Sequence, residues 1–597
     1  MKKITVVDRD RCKPDSCSYR CIKLCPLNRT GKKSDPVIVP RAIKLFAKSS
    51  IPRINERICL NCNICINACF NRAIKVVNIP GEIEDWSPTH VYESSNFKLF
   101  GLPLITFGSV TGIIGENGIG KTSILNILAG KLKPNGGHLT EDGFEKFLTD
   151  LTTPGMARFL EDVHTDKLRV ALKPQNLAGL KEYGATPQEM FDNQNLENPE
   201  IVNILQIDKL LSKDIDHLSG GELQRVAIAL TLMKKADVYL LDEPATYQDV
   251  KQRLNLVKLL HLKLAKNRAI LIVEHDICVL DHYSDLVHIL WGEPHVYGVA
   301  SRSLAVKKGL NSFLKGWLRE ENIHFRNKVI SFKRTVKERS WKAASYLEWP
   351  KAEVLLGTFT LSVPTGRVYQ GEILTILGEN GLGKTTFANL LAGKLPEYPK
   401  LNTQISYKPQ QINNDFDLSV LEFLQLTTAK YLETKQWKLQ LLQPIGISHI
   451  LDRSMNELSG GETQRVYITG CLAKNADLYI LDEPSAFLDV LERTKMATVI
   501  RNQTKRNPNC SVISIEHDIQ LADFIGDRIM MFTGVPTIKG TIIPPMSKRD
   551  GMNTFLKSLN ITFRRDSETG RARINKQDSQ MDRRQKELGE YYYTIEK

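Results

Sequence analysis

Short apolar runs separated by polar stretches recur along this 597-residue chain, and one succession of runs appears twice. Val110 to Ile114 reads as a strand, and Ser123 to Leu128, beyond a Gly-rich loop, as the helix that follows it. Farther on, Val238 to Leu241 is an apolar run of strand length that ends on Asp242-Glu243-Pro244, and Leu271 to Val273 is another that ends on Glu274-His275-Asp276. A matching run ends on Asp482-Glu483-Pro484. From about residue 81 onward the rhythm is therefore that of an α/β chain. One stretch has a different period. Phe144, Phe147, Leu148 and Leu151 fall at i, i+3, i+4 and i+7, Pro154-Gly155 interrupts, and Met156, Phe159, Leu160 and Val163 repeat the spacing. This predicts a helix–loop–helix over about 140–165, with its stripes packed on each other and on the surrounding domain.

The duplication is plainest in Leu-Ser-Gly-Gly-Glu, found at Leu218 to Glu222 and again at Leu458 to Glu462. A Gly-x-x-x-x-Gly-Lys-Thr loop precedes each copy, at Gly115 to Thr122 and Gly378 to Thr385, and Ser219 to Glu243 spans 24 residues, as does Ser459 to Glu483. From Lys121 to Gln175 is 54 residues, whereas Lys384 to Gln410 is 26, so the first half carries an insertion of 28, which is the helix–loop–helix. Gly309-Leu-Asn-Ser-Phe-Leu-Lys315 recurs as Gly551-Met-Asn-Thr-Phe-Leu-Lys557, so each half ends in the same docking element, and the pair frames a hinge. The chain divides accordingly into residues 1–80, a first half 81–300, a hinge 301–349, a second half 350–545, and a C-terminal hinge with a basic tail 546–597.

The glycine loops carry the first chemistry. Each follows a strand and opens a helix, so successive backbone N–H groups and the helix N-terminus converge on phosphates. Gly115, Asn117, Gly118, Gly120, Lys121, Thr122 and Ser123 form the first such cradle; Gly378, Asn380, Gly381, Gly383, Lys384, Thr385 and Thr386 form the second. Lysine reaches the β/γ oxygens and threonine takes Mg2+. Asp242 and Asp482 would hold Mg2+ through water, and Glu243 and Glu483 would orient or deprotonate the attacking water.

The first 75 residues are different in kind. They hold 17 Lys or Arg against 5 Asp or Glu, a surplus of +12 within a chain of net charge +14. Such a patch attracts polyanions, nucleic acid before membrane. Eight of the eleven cysteines also lie here, as Cys12, Cys17, Cys21 and Cys25 and then Cys59, Cys62, Cys65 and Cys69. The second run has the spacing of a bacterial two-cluster ferredoxin, in which three thiolates of a run hold one cube and the fourth holds the other. On that logic Cys12, Cys17, Cys21 and Cys69 hold one [4Fe-4S] cluster, and Cys25, Cys59, Cys62 and Cys65 a second. The x4 and x3 gaps of the first run depart from the pattern. Two zinc sites are the competing reading, disfavoured because zinc motifs pair two-cysteine hooks, and disulfides are disfavoured in a chain whose first ten residues lack the apolar core of a secretory signal. Cys278, Cys471 and Cys510 stand alone in apolar surroundings and read as core. No apolar run approaches the ~18 residues of a membrane helix, and the expected location is the cytoplasm.

Taken together these motifs resemble the E subfamily of ABC ATPases, the RNase L inhibitor family, over essentially the whole chain, including the tail Gly589-Glu-Tyr-Tyr-Tyr593. The resemblance implies two ABC-type P-loop nucleotide-binding domains in tandem behind a small α+β ferredoxin-like domain. It implies ATP, Mg2+ and two [4Fe-4S] clusters. It further implies a monomer that separates ribosomal subunits after termination, with a release factor in the A site, and that remains on the small subunit against its rRNA. Residue by residue, it makes Phe97 and Phe359 the aromatic residues that stack on adenine, with Tyr92 a competing choice in the first half. Gln175 and Gln410 become Mg2+ ligands, and His275 and His517 contact the γ-phosphate. A Ser-Gly-Gly at a helix N-terminus can offer its N–H groups to a γ-phosphate only across a head-to-tail pair. Ser459, Gly460 and Gly461 should therefore complete the first site, and Ser219, Gly220 and Gly221 the second. Pro484-Ser-Ala-Phe-Leu-Asp489 follows the family pattern, whereas Pro244-Ala-Thr-Tyr-Gln-Asp249 departs at Ala245 and Gln248, so the two sites should differ. A transporter does not account for the eight cysteines, and the 98 residues from Lys121 to Ser219 leave no room for the coiled coil of a chromosome-organising ATPase. ATP-gated electron transfer through redox-active clusters is the remaining alternative.

Overall fold

The runs that end on acidic pairs are strands, buried along their whole length: Val238–Asp242, Ala269–Val273, Leu478–Asp482 and Ser511–Ile515. Strands covered on both faces need no polar alternation, which is why they read as continuous apolar runs. The computed structural model describes the chain except residues 1, 8–11, 13, 30–41, 47–48, 56–57, 80–85, 94–96, 183, 265–266, 333–345, 429–436 and 593–597. Most of the linker after the cysteine domain, part of the 301–349 hinge and Tyr593 thus lie outside the described residues. The chain forms two compact units, one of residues 1–104, 116–165 and 290–302, the other of 105–115, 166–289 and 303–597.

In the first unit, Lys2–Val7 pairs antiparallel with Ile74–Ile79, and Ile43–Phe46 with Ser49–Ile54. Short helices at Pro14–Cys17, Arg20–Leu24, Pro26–Arg29 and Ile64–Ala68 complete an α+β domain whose core includes Cys21, Cys25, Cys65, Ile43, Ile54 and Ile74. Lys75 Nζ lies 2.6 Å from Glu293, which ties this domain to the strand end beside it. Lys98–Phe100 pairs antiparallel with His90–Val91 and parallel with Tyr297–Ala300. The insertion forms helices Gly143–Asp150 and Pro154–His164. Pro154 does not separate them but opens the second, at a first-turn position where its missing N–H costs nothing. Phe147, Met156, Phe159, Leu160 and Val163 are buried, and the Phe144 ring meets His164 edge-on at 4.7 Å. The stripes are filled by packing.

The second unit contains the parallel strands Val110–Gly115, Ala269–Val273, Val238–Asp242 and Val170–Lys173, neighbours in that order. It also holds an eight-stranded sheet ordered Ala352–Leu356, Phe359–Val363, Lys539–Ser547, Arg528–Val535, Ile373–Leu377, Ser511–Ile515, Leu478–Asp482 and Ile405–Lys408. The duplication extends to register: Asp242 sits opposite Val273, and Asp482 opposite Ile515. The repeated heptapeptide lies in helices Val306–Lys315 and Lys548–Ser558. Its glycine is there for close approach to a strand, since a Cβ on Gly309 would come within 2.2 Å of Val287 and one on Gly551 within 2.4 Å of Ile529. Phe313, Leu314, Phe555 and Leu556 are buried.

The basic tail is a folded element. Phe563–Arg565 and Ala572–Ile574 form a hairpin, and a helix follows at Gln580–Glu587. Its arginines close ion pairs on equivalent aspartates of the two halves: Arg571 and Arg573 on Asp281, and Arg565 on Asp523, which Tyr592 also reaches. Asp281 and Asp523 stand on helices Ile277–Tyr283 and Ile519–Ile525, which begin just after His275 and His517. Between these helices, Ala572 accepts a hydrogen bond from the Cys278 thiol through its carbonyl and donates its N–H to Gln520. Cys278, Cys471 and Cys510 are buried core residues.

Candidate functional site

The second half assembles a continuous set of polar contacts from five separate elements. Gly378, Gly381 and Gly383 adopt positive φ, which turns the loop around its own axis into helix Lys384–Leu391. Lys384 is buried and donates to the carbonyls of Gly378 (2.9 Å) and Glu379 (2.7 Å). Thr385, followed by Thr386 on the same first turn, donates its hydroxyl to Asp482 at 2.8 Å and meets Gln410 Oε1 at 3.3 Å. Gln410 Nε2 in turn donates to Glu483 at 2.7 Å, and His517 Nε2 lies 2.9 Å from the same carboxylate oxygen. Burial alone would raise the Glu483 carboxyl, but the adjacent His517, which also hydrogen-bonds it, and Lys384 hold it at about 2. Asp482 is pushed the other way, to about 6, by burial against the Thr385 hydrogen bond.

The first half repeats the part of this set that its own unit contains. Gln175 Nε2 donates to Glu243 at 2.8 Å, and His275 Nε2 lies 3.2 Å from Glu243, with Asp242 immediately before it at the strand end. Glu243 and Glu483 both take left-handed backbone (φ 46 and 48), as do Tyr247 and Phe487 (φ 62 each), an uncommon conformation for such side chains and the same in both copies.

Asn117, Gly118, Gly120, Lys121, Thr122 and Ser123 belong to the other unit. There Lys121 Nζ donates to the Glu116 carbonyl at 2.8 Å, and Gly118 and Gly120 have positive φ. A Cβ on Gly120 would meet the Phe97 ring at 3.0 Å, and one on Gly383 the Phe359 ring at 2.9 Å, so both aromatic residues lie against the last glycine of their loop. Tyr92, the competing aromatic residue, shares a 2.9 Å hydrogen bond with Ser123.

The signature phrase is a helix cap. Ser219 Oγ accepts from Glu222 N while the Glu222 carboxylate accepts from Ser219 N, and Ser459 and Glu462 do the same, so each serine fixes the start of its helix, Gly220–Met233 or Gly460–Ala473. A Cβ on Gly220 would meet the Tyr247 ring at 3.3 Å, and one on Gly460 the Phe487 ring at 3.4 Å. Gly221 faces the second phosphate loop: a Cβ there would lie 3.6 Å from Nδ2 of Asn380. Asn380 N donates to Asp249 at 2.8 Å, Asn380 Nδ2 to the Tyr247 carbonyl at 3.1 Å, and Lys251 pairs with Glu379 at 3.0 Å. The Tyr247 and Phe487 rings meet edge-on at 5.5 Å.

Three residue pairs were missed by the motif reading. Lys173 and Lys408, two positions before the glutamines, are buried and donate to the Asp242 and Asp482 carbonyls at 2.7 and 2.8 Å; burial pushes each down to about 8. Arg253 and Arg493, ten residues after each glutamate, pair with Asp276 and Asp518. Glu274 and Glu516 are fully buried and pushed up to about 7 and 8. Their repetition at equal spacing in both halves was the signal. Here the halves also diverge: Ser485 Oγ donates to Glu516 at 2.7 Å, whereas at Ala245 only the backbone N–H reaches Glu274.

Two small cavities divide the eight N-terminal cysteines. One is walled by Cys12, Cys17, Cys21 and Cys69, the other by Cys25, Cys59, Cys62 and Cys65. Residues in left-handed conformation, Ser18 and Tyr19 in one run and Asn61 and Asn63 in the other, turn the chain between successive thiols. Burial pushes the Cys21 and Cys65 thiols up to about 11, and neighbouring thiols of the same quartet add to it. Ala73 N donates to Cys69 Sγ at 3.2 Å. Among the described residues no three His, Cys, Asp or Glu side chains converge as ligands of one mononuclear ion would. Thiols facing a shared cavity fit a polynuclear iron–sulfur group, whose corners are spread apart.

Comparison with known proteins gives the same picture. The family model described as ABC transporter matches residues 105–246 and 361–486, and one described as a possible Fer4-like domain in RNase L inhibitor matches residues 3–33. The ABC transporter E family member 1 of Arabidopsis thaliana is 38% identical over 99% of this chain and 99% of its own. In a model of ribosome-bound archaeal Pelota and ABCE1, one chain is 37% identical with a TM-score of 0.90 over 99% of both. The crystal structure of archaeal ribosomal stalk protein aP1 with archaeal ribosome recycling factor aABCE1 contains a chain 39% identical, with a TM-score of 0.78 over 85% of this chain and 99% of that one. Among the described residues no helix is long and apolar enough to cross a membrane.

Proposed function

This chain belongs to the E family of ABC ATPases, the RNase L inhibitor family, and from that premise we propose that it uses ATP to split ribosomes into subunits after termination and then stays on the small subunit. The observation that carries the reading is the full-length likeness to the ribosome-bound archaeal chain, at 37% identity. A release factor in the A site and rRNA are the partners, and the cytoplasm is where they meet. The domain division into 1–80, 81–300, 301–349, 350–545 and 546–597 belongs to the same reading.

ATP would lie on Gly378 to Thr385, with Gly220 and Gly221 offering their N–H groups to its γ-phosphate. Thr385, Gln410 and Asp482 would hold Mg2+, which would supply charge neutralisation at the phosphates. Glu483, held below the usual carboxylate range by His517 and Lys384, is the carboxylate that would orient or deprotonate the attacking water. His517 holds that carboxylate and faces the γ-phosphate. By the internal duplication, Gly115 to Thr122, Gln175, Asp242, Glu243 and His275 serve the first site with Ser459, Gly460 and Gly461.

Contacts that exist only when the γ-phosphate is gripped across two cassettes bias the chain toward a closed state. The two cysteine quartets would each hold a [4Fe-4S] cluster, which would staple the basic N-terminal domain into a rigid body for this closure to press against rRNA. The test is gradient sedimentation of ribosomes. Wild-type protein with ATP should convert whole ribosomes to subunits, and the Glu243→Gln, Glu483→Gln double variant should remain on small subunits in the presence of ATP. A double variant that never cosediments with small subunits in an ATP-dependent way would refute the closed-state part. Splitting at the normal rate by Cys65→Ser would refute the role of the clusters.

A further inference from the structure

The loop that follows Glu243 differs from its counterpart at four positions, Ala245, Thr246, Tyr247 and Gln248 standing where the other half has Ser485, Ala486, Phe487 and Leu488, and the last of them makes a contact that the other half lacks. Gln248 is 3% exposed, and its Nε2 donates to the carbonyl of Gly221 at 2.9 Å. Leu488, at the equivalent place, is wholly buried in an apolar cluster and has no donor to offer. The backbones around them are otherwise alike: a Cβ on Gly221 would lie 2.8 Å from the Tyr247 carbonyl and one on Gly461 2.9 Å from the Phe487 carbonyl. At this position the difference between the halves is the side-chain bond.

We propose that Gln248 is a positioning residue that couples the loop behind the first half's glutamate to the signature glycine serving the second half's ATP. Gly221 is the residue beside Asn380 of the second phosphate loop, and Gln248 lies between Tyr247 and Asp249, which themselves hold Asn380 at 3.1 and 2.8 Å. One short segment thus grips both sides of the second site, the signature through Gln248 and the phosphate loop through its neighbours. Any shift of that segment when Glu243 and His275 engage their own nucleotide is passed to Gly221. Leu488 offers no equivalent bond between the loop after Glu483 and Gly461, so this side-chain link serves the second site alone. The inference rests on the head-to-tail reading of the sites.

The experiment uses the full-length protein, with Gln248→Leu and Gln248→Glu introduced separately into the Glu243→Gln and Glu483→Gln backgrounds. The first background reports the second site and the other reports the first. Loss of the bond is expected to raise KM for ATP about five-fold in the Glu243→Gln background, the equivalent of about 1 kcal/mol for one hydrogen bond, and to change it less than two-fold in the Glu483→Gln background. Gln248→Glu keeps the shape but puts an acceptor against the carbonyl, so it should equal or exceed the effect of Gln248→Leu. Equal effects in the two backgrounds, or a lowered melting temperature with no difference in KM, would overturn the proposal. If neither parent variant lowers ATP turnover, the assignment of the two sites falls, and this inference with it.

Discussion

Removing Asp281 should free the C-terminal hairpin from the helix that follows His275. The carboxylate is 2% exposed and receives Arg571 Nη1 at 3.0 Å and Arg573 Nε at 2.7 Å, and Arg571 is itself fully buried. Asp281→Ala leaves that guanidinium in the interior without its ion-pair partner, with the Asp566 charge acting on it and Asn311 Oδ1, 3.1 Å from its Nε, as its remaining side-chain hydrogen bond. Breaking a buried pair from one side costs about 3–5 kcal/mol, most of it the penalty of the stranded charge. Arg573→Ala leaves Asp281 paired to Arg571, and its cost should be about 1–2 kcal/mol. If the hairpin opens as a local unit, these costs translate into about 150- to 5000-fold faster amide exchange at Ala572–Ile574 for Asp281→Ala and about 10-fold for Arg573→Ala. Hydrogen exchange read by mass spectrometry on peptides spanning 563–575 measures both. Asp523→Ala, at the equivalent place, should expose Arg565 and Tyr592 in the same way. Unchanged exchange in Asp281→Ala, or a larger effect from Arg573→Ala, would refute the argument that burial of Arg571 sets the magnitude.

Glu243→Gln and Glu483→Gln should lower steady-state ATP turnover by different factors, because Ser485 bonds Glu516 and Ala245 cannot bond Glu274 in that way; equal losses would make the loop differences silent. Glu516, pushed up to about 8 by burial, binds a proton in the folded chain at pH values where the unfolded chain has lost it. Its contribution is therefore fully present below about pH 4.5 and is lost as pH rises toward 8. Urea unfolding at pH 5.5 and 8 should show a smaller fall in stability for Glu516→Gln than for wild type, and an identical fall would contradict the shift. Gly551→Ala would place a methyl 2.4 Å from Ile529 and should destabilise the C-terminal helix by about 1–3 kcal/mol, seen as faster proteolysis near residue 548. Cys69→Ser and Cys12→Ser should each remove the same half of the iron and acid-labile sulfide, because both wall one cavity; loss by Cys69→Ser of the cluster held with Cys59 would reverse the quartets.

The motor was legible in the chain because its parts are local. A glycine loop between strand and helix, an apolar run ending on Asp-Glu, and a Ser-x-x-Glu cap each specify their own backbone, and their duplication at equal spacing left little to chance. The grouping of Cys69 with the first run and Cys25 with the second was legible as well, and the structure gives the reason: each ends a short helix, Ile64–Ala68 or Arg20–Leu24, that carries it to the cavity walled by the other run. What sequence could not reach was non-local. Phe97 and Tyr92 remain rivals on spacing, and only packing places Phe97 against Gly120. The sequence marks 546–597 as a C-terminal hinge with a basic tail and says nothing of its core, yet Arg571 is fully buried. Its partner Asp281 lies 290 residues away, and no periodicity encodes such a separation. Gln248 looked like a departure from a pattern, and only the fold brings its amide to the Gly221 carbonyl. Local propensity and spacing determine the elements and their chemistry, whereas the partners of buried polar groups are decided by which distant segments the fold brings into contact.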